Sequence, residues 1–504
     1  MGIFKKYKFF IIFSILSCLI LILFALYTSQ AWDDFFITLR YSKNLAEGKG
    51  AVYNTGERVY GFTSPLEMLL LSFSYLITGK SSYLPALWIY RLISIAAFIA
   101  AGILLLLSIP DNGKKKSPAA YLLAALYLLE TKSIVFSASG MESAFTLLFI
   151  SLFIFLASRD LLGNWIGCGI SWAGLLFARP DGCVYIFCLS LGYLIFSATP
   201  RKKTFIALLK AAFVCALLYL PWFIWAWSYY GSPIPNTVLA KARLIMFRPP
   251  LSILNCIFGP VYIYFGGWPI WINMFTASLG LLAAFYWTVP SKDRVGRALS
   301  FSFLLLYIYY TFLPRYPWYY PPVAAISLIV LVNSVFTVKN SSKAAAAAIS
   351  AAICAGMLYI LLSTSLQLRI QHKEIEKGNR MEIGLWLKEN VLPGETVYLE
   401  PLGYIGYFSG SRMIDYPGLV SEKMVRLLRK DKSINFYTAI PHFDPKWILL
   451  RPYETAFMSK VPYFNYNYEF VRSFDVSKRI DSYKHIPGRP YLLYDSAFLL
   501  FKKK

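Results

Sequence analysis

From Phe9 to Leu366 the chain alternates long apolar runs with short polar breaks. The first run, Phe9 to Tyr27, follows Lys5, Lys6 and Lys8, and at ~1.5 Å of rise per residue it can cross ~30 Å of hydrocarbon. Further runs fall at about 86–108, 118–134, 141–158, 161–177, 181–197, 204–228, 268–289, 297–313, 317–337 and 344–366. The pattern predicts a mainly α, polytopic membrane protein with about 11 transmembrane helices. Pro65–Ile77 is apolar too, but short for a span and flanked by polar loops. Ser29-Gln30-Ala31 loosely resembles a signal-peptide cleavage site, yet the run before it is long for a signal peptide, so retention is expected.

Beyond residue 368 the pattern is that of a small α/β domain. It predicts a helix at about Glu374–Asn390, a strand at Thr396–Leu399, a turn at Gly403–Tyr407, a strand at Met413–Asp415 and a helix near Ser421–Leu428. Strands follow at Trp447–Leu450, Tyr468–Phe474 and Tyr491–Leu500. Two domains are therefore expected, 1–368 in the membrane and 369–504 outside it, with long connecting loops at 28–85 and 229–267.

Composition sharpens this picture. The chain is 57% hydrophobic and 15% charged, which excludes a soluble globular enzyme. The net charge of +24 sits in short clusters between the apolar runs rather than on one face, so nucleic acid is not an expected partner and the lipid bilayer is. If Pro65–Ile77 does not cross, one side receives Lys5/Lys6/Lys8, Lys114/Lys115/Lys116, Arg159, Arg201/Lys202/Lys203/Lys210, Lys292/Arg294/Arg297 and Lys339/Lys343. The short loops on the other side hold only Lys132, Arg179 and Arg315. The positive-inside rule then places the N-terminus in the cytoplasm and the C-terminal domain outside the inner or plasma membrane, with Pro65–Ile77 juxtamembrane or re-entrant. All seven cysteines precede residue 368 without ligand-like spacing and read as packing thiols. The three histidines lie in the tail, so an intramembrane histidine metal site is excluded.

With this parity the outer side collects five segments: the 28–85 loop, Thr131–Glu142, Arg179-Pro180-Asp181-Gly182, the 229–267 loop and Pro314–Pro322. Ionisable groups at the edge of a membrane domain are functional candidates by default. The sharpest candidates are Asp33 and Asp34, directly after the first span. Paired carboxylates there suit a general base for an acceptor hydroxyl, or a ligand set for a divalent cation such as Mg2+ or Mn2+ beside a phosphate. The plainer alternative is a helix cap, since Ile37, Tyr41 and Leu45 then recur at i, i+4 and i+8. Arg179 and Arg315 could clamp a phosphate with their paired donors, or snorkel at the interface beside aromatic residues. Lys241, in the turn-rich stretch after Tyr229-Tyr230-Gly231-Ser232-Pro233, is a further phosphate candidate. No Walker loop, GxGxxG, HExxH or recognisable Ser/His/Asp set is present, and no nucleotide cofactor is expected.

At Trp32-Asp33-Asp34-Phe35-Phe36-Ile37-Thr38-Leu39-Arg40-Tyr41, Asn44-Leu45-Ala46-Glu47-Gly48 and Tyr53–Leu66 the sequence resembles the GT-C membrane glycosyltransferases, in particular the branch of the mycobacterial terminal arabinofuranosyltransferases. The likeness continues at Ser139–Ser143, Arg179–Gly182, Tyr230–Thr237 and Arg315-Tyr316, covering most of the membrane domain in order. Asp181 stands where relatives often carry Glu, and Glu67 replaces a common aromatic. The resemblance implies a sugar donor on polyprenyl phosphate, a glycan, lipid or protein acceptor, and an active site on the outer face. It also implies an essential aspartate mapping onto Asp33 or Asp34, and a juxtamembrane helix at Pro65. Within its blocks Arg40, Glu57, Glu142, Asp181, Asn236 and Tyr316 are expected to bind or support substrate. Asp33, nearer the span's exit, is expected to be the base, with Asp34 supporting it. The other class of function open to such a chain is a flippase or transporter of lipid-linked oligosaccharide, which would carry charged residues through the membrane midplane.

Overall fold

The computed structural model describes residues 2–80, 82–109, 117–337 and 343–504. The side chains of Lys5 and Lys6, and the residues Lys114, Lys115, Lys116 and Lys339, lie outside what it describes. The chain divides into two compact units: Met1–Tyr27, Arg91–Trp222 and Ile245–Leu366 form one, and Thr28–Tyr90, Phe223–Leu244 and Gln367–Lys504 the other.

The first unit is helical, and its helices fall on the expected apolar runs. Among the described residues six helices are long and apolar enough to cross a membrane, and seven if the bent pair Pro118–Leu129 and Thr131–Ala138 is one span. Trp165–Ala178, Gly182–Phe196 and Pro321–Phe336 are shorter apolar helices. The chain is thus a multi-pass membrane protein. Large apolar side chains such as Phe213, Leu217 and Met274 are exposed on these helices, as a hydrocarbon surrounding requires.

The run expected at 118–134 stops at Leu129 because of one side chain. Glu130 leaves the helical backbone, and its carboxylate accepts the backbone N–H of Lys132 (3.2 Å) and of Ser133 (2.6 Å), starting a new helix at Thr131. The two axes meet at 51°. Apolar periodicity reads straight through such a break, since both helices are apolar.

In the second unit, five strands form a mixed sheet in the order β2-β1-β3-β5-β4. They are β1 Thr396–Leu399, β2 Arg412–Asp415, β3 Trp447–Leu450, β4 Tyr468–Asp475 and β5 Ala497–Lys503. β1 pairs parallel with β2 and β3, and β5 pairs antiparallel with β3 and β4. Central β3 is buried at all four positions, which explains its uninterrupted apolar sequence. Tyr398, Ile448 and Leu450 pack there with Met424, Leu428 and Ile440 from the flanking helices.

Three local expectations are corrected. Gly403–Ser409 is a helix rather than a turn: its glycines permit close approach to other segments and do not end it. Arg489–Tyr494 is a helix, and β5 starts only at Ala497. Gln371–Met381 is a π-helix joining Lys343–Ile370 to Glu382–Asn390.

The first polar loop folds into two helices of this same unit, Asp33–Ala46 and Pro65–Ile77. Ser64 caps the second by accepting the N–H of Glu67 at 3.1 Å, and Pro65 occupies its first turn. At 13 residues it is about 20 Å long, short of the ~30 Å of a bilayer core.

Candidate functional site

The Asp33–Ala46 helix starts at an extended Trp32 whose side chain makes no cap, so the two aspartates themselves fill the first turn. Asp33 turns to a second helix start. Its Oδ2 accepts the N–H of Gly403 (3.1 Å) and its Oδ1 that of Tyr404 (2.9 Å), filling two donors that the Gly403–Ser409 helix leaves without internal partners. Tyr404 returns a bond from its hydroxyl to the carbonyl of Ala31 at 3.1 Å. A Cβ on Gly403 would collide with the Asp33 carbonyl, so the docking needs glycine there.

Arg40, seven residues on and therefore on the same helix face, completes the clasp at the far end. It donates from Nη1 to Gly406 O (2.6 Å) and from Nη2 to Ser411 O (2.8 Å), while Nε bonds Tyr53 O (3.0 Å). Its guanidinium also lies 4.2 Å from the centroid of the Tyr53 ring. One helix thus holds both ends of another through Asp33 and Arg40. Asp34, half-buried, follows in the same first turn.

Behind Asp33 stands a buried ionic network that the sequence reading missed. Arg380 Nη1 lies 3.6 Å from Asp33 Oδ1 and 3.0 Å from Glu376 Oε2, and its Nη2 is 2.6 Å from Asp495 Oδ2. Asp495 Oδ1 in turn meets Arg451 Nε at 2.6 Å, and Arg451 pairs with Glu454 (3.0 Å) and Glu400 (2.7 Å). Five carboxylates face two guanidiniums. Burial pushes Glu376 up from 4.5 to about 7 despite Arg380, and the charge of Asp33 adds to the rise. Asp495, also buried, is instead held below the usual carboxylate range by Arg451 and Arg380.

A stability prediction follows from Glu376. Its folded value lies above the unfolded one, so its contribution is full below about pH 4.5 and is lost as the pH rises through about 7. Thermal midpoints of the detergent-solubilised protein should therefore fall between pH 5 and pH 8. Glu376→Gln should reduce that slope, and Asp415, pushed up to about 6 by burial, should supply the remainder. An unchanged slope in the variant would count against this assignment.

The other candidates in this unit are mostly engaged. Glu57 pairs with Arg412 and accepts from Asn54 Nδ2 at 2.9 Å. Asn236 bonds through its N–H to Tyr60 O and through its amide to Gly418 O, both at 2.6 Å. Lys241 is the last residue of the Asn236–Lys241 helix.

The first unit brings together Glu142, Arg179 and Asp181, 37 and 2 residues apart in sequence. Arg179 Nη1 meets Glu142 Oε1 at 2.6 Å, and its Nε and Nη2 grip the two oxygens of Asp181 at 2.8 and 3.1 Å. The guanidinium also lies 4.8 Å from the centroid of the Tyr319 ring. With both edges occupied by carboxylates, Arg179 is engaged as a carboxylate partner, and the trio carries net negative charge.

Arg315 differs. Among the described residues it pairs with no carboxylate; it lies 5.0 Å from the centroid of the Tyr264 ring. Arg248 is close enough to be pushed below the ordinary arginine value, first by burial and then by the charge of Arg315. The sequence reading missed Arg248, one of two arginines in the 229–267 loop. Next to Arg315, Tyr316 stacks on Trp318 with centroids 4.7 Å apart.

Several ionisable groups in this unit stand at helix ends: Glu130 between the bent helices, Lys132 one residue into the second, Glu142 before Ser143–Asp160, Arg179 after Trp165–Ala178 and Asp181 before Gly182–Phe196; Arg91 instead is buried within Tyr83–Ser108. Among the described residues no group of three or more His, Cys, Asp or Glu could hold a metal ion.

Comparison with known proteins identifies the class of fold. Residues 368–494 match a family described as a domain of unknown function (DUF8728). A terminal beta-(1->2)-arabinofuranosyltransferase of Corynebacterium glutamicum is 29% identical over 234 residues, 42% of this chain and 33% of the relative. Its namesake in Mycobacterium tuberculosis is 26% identical over 238 residues, 42% of this chain and 34% of the relative. The chain thus spans about a third of the length of the curated relatives it matches. Among solved structures, ArnT from Cupriavidus metallidurans bound to undecaprenyl phosphate matches with a TM-score of 0.54 at 10% identity, covering 98% of both chains. The archaeal oligosaccharyltransferase AglB from Archaeoglobus fulgidus, in complex with an inhibitory peptide and a dolichol-phosphate, matches with a TM-score of 0.57 at 13% identity over 88% of this chain and 69% of that one. The chain has the GT-C fold.

Proposed function

We propose that the chain is a GT-C membrane glycosyltransferase that moves a sugar from a polyprenyl-phosphate carrier to a cell-envelope glycan, lipid or protein on the outer face of the membrane. The observation that carries this reading is the aspartate pair at the start of the Asp33–Ala46 helix, in a chain whose fold matches two structures solved with a polyprenyl or dolichol phosphate. The geometry favours an exchange of the roles expected from sequence. Asp33 has both oxygens accepting backbone N–H groups and serves as the anchor, and Asp34 is the base.

In this reading an acceptor hydroxyl attacks the anomeric carbon of the lipid-linked sugar while Asp34 takes its proton. The bond from that carbon to the phosphate oxygen breaks, and the electron pair leaves with the polyprenyl phosphate. Arg315, in the first unit, is the candidate contact for the donor phosphate. Glu142, Arg179 and Asp181 form a charged turn within the first unit in which Arg179 is held by carboxylates rather than binding phosphate. Arg40, Glu57 and Asn236 hold the backbone around the aspartates, while Tyr316 and Lys241 remain candidates for sugar and phosphate contact. A divalent cation fits Asp33 poorly, since donors already fill its oxygens and a guanidinium stands 3.6 Å away; no step here depends on one.

Eleven spans, with Pro65–Ile77 lying along the surface, complete the reading. The arabinofuranosyl relatives make a pentofuranose the first donor sugar to try. A flippase is less well supported, because Glu130, Glu142, Arg179 and Asp181 of the first unit stand at helix ends. A reporter fused after Lys504 should score extracytoplasmic and one at Lys115 cytoplasmic. The opposite result would put the aspartates on the wrong side for this reaction.

A further inference from the structure

The π-helical stretch Gln371–Met381 is unusual, because π-helices are rare and mostly single-turn bulges, frequently at functional sites. Its buried polar residues show what the register achieves. Gln371 donates from Nε2 to Glu376 Oε1 at 2.9 Å, a contact between residues five apart that the i to i+5 repeat stacks on one face. Arg380, four residues after Glu376, donates from Nη1 to its Oε2 at 3.0 Å. An α-helical register would still bring Glu376 and Arg380, four residues apart, onto one face, but it would turn Gln371 away from both. The stretch therefore delivers a guanidinium to a fixed point.

That point is occupied from three sides. Glu376 comes from the π stretch itself, Asp495 from the segment just before β5, and Asp33 from the Asp33–Ala46 helix. The side chain of Arg380 is 6% exposed, that of Glu376 1% and that of Asp495 5%, while Asp33 keeps 20%. Asp33 is thus the member of the group that reaches toward solvent. Both its oxygens are fixed by the N–H groups of Gly403 and Tyr404, and Arg380 stands against Oδ1.

We infer that Arg380, carried on the π-helical stretch, is a positioning residue for transfer: it holds Asp33 in place and thereby aims the neighbouring Asp34 at the acceptor hydroxyl. The inference rests on the transferase reading above. Arg380 itself touches no reacting atom. Its effect is on the orientation of the first helical turn, so it belongs in turnover rather than in donor affinity.

The test uses the full-length protein in detergent with undecaprenyl-phosphate-linked sugars, arabinofuranose among them, as donors. Arg380→Gln alone would leave Glu376 facing no cation and could fail to fold. The double variant Arg380→Gln/Glu376→Gln removes one charge of each sign and leaves Asp495 paired with Arg451. At a thermal midpoint near wild type it should lose about tenfold or more in kcat, with the donor KM within about twofold. Arg380→Lys keeps the charge balance without the forked reach and should lose kcat in the same way. A wild-type kcat in either folded variant overturns the inference. Asp34→Asn in the same assay separates the two levels: if it is inactive while the double variant is fully active, only the role of Arg380 falls. If Asp34→Asn turns over like wild type, the base assignment falls and takes this inference with it; if wild type transfers no sugar from the panel, the transferase reading itself falls.

Discussion

Asp34→Asn is expected to lower turnover by about 10²- to 10⁴-fold, with fold and abundance unchanged, since it removes the group that accepts the proton in the transition state. Asparagine keeps the shape and hydrogen-bonding capacity of the first helical turn but cannot take a proton. Asp33→Asn should behave differently. Its amide would present an N–H₂ to one of the backbone N–H groups of Gly403 and Tyr404, leaving a buried donor unsatisfied at about 1–3 kcal/mol. The expected outcome is a lower thermal midpoint and a partial loss of activity per folded molecule. The measurement is initial transfer rate normalised to monodisperse protein, with both midpoints. Abolished turnover in Asp33→Asn beside full turnover in Asp34→Asn would restore the order expected from sequence. Full activity in both would remove this helix start from the mechanism.

Arg315→Ala should cost about 2–4 kcal/mol of transition-state stabilisation, or roughly 30- to 1000-fold in rate. The argument rests on contrast with Arg179. Arg179 is locked between Glu142 and Asp181, whereas Arg315 pairs with no carboxylate among the described residues and sits near a second arginine. A leaving phosphate gains charge as its bond to the sugar breaks, so a fixed cation helps the transition state more than the ground state. Arg315→Lys should lose activity nearly as Ala does, because ammonium lacks the fork that meets two phosphate oxygens. Arg248→Ala should give a smaller loss of the same kind. Wild-type turnover in Arg315→Lys, or a change in expression alone in Arg315→Ala, would return Arg315 to an interfacial role.

The apolar runs made the helical membrane architecture legible because hydrophobicity over about twenty residues is a strong physical constraint. β1, β3 and β4 were legible for a related reason, as short apolar or alternating runs bounded by polar turns. Failures came where one polar side chain overrode the pattern. Glu130 splits a continuous apolar run by capping a new helix, and the glycines of Gly403–Ser409 look like turn residues but are there for close packing. The aspartate pair stood out by composition and by position after the first span. Its partners did not, because Arg380 lies some 350 residues away in sequence. Arg179 and Arg315 look alike in sequence, each the lone cation of its loop. Only the positions of Glu142 and Asp181 distinguish them.

The central claim is tested most directly by transfer itself. Purified full-length protein would be incubated with radiolabelled undecaprenyl-phosphate sugars, arabinofuranose included, and a cell-envelope glycan acceptor, without added nucleotide. The account predicts that label moves from the lipid to the acceptor and that undecaprenyl phosphate is released in equal amount. Lipid-linked sugar that crosses a proteoliposome bilayer intact, with no label on the acceptor from any donor, would contradict it.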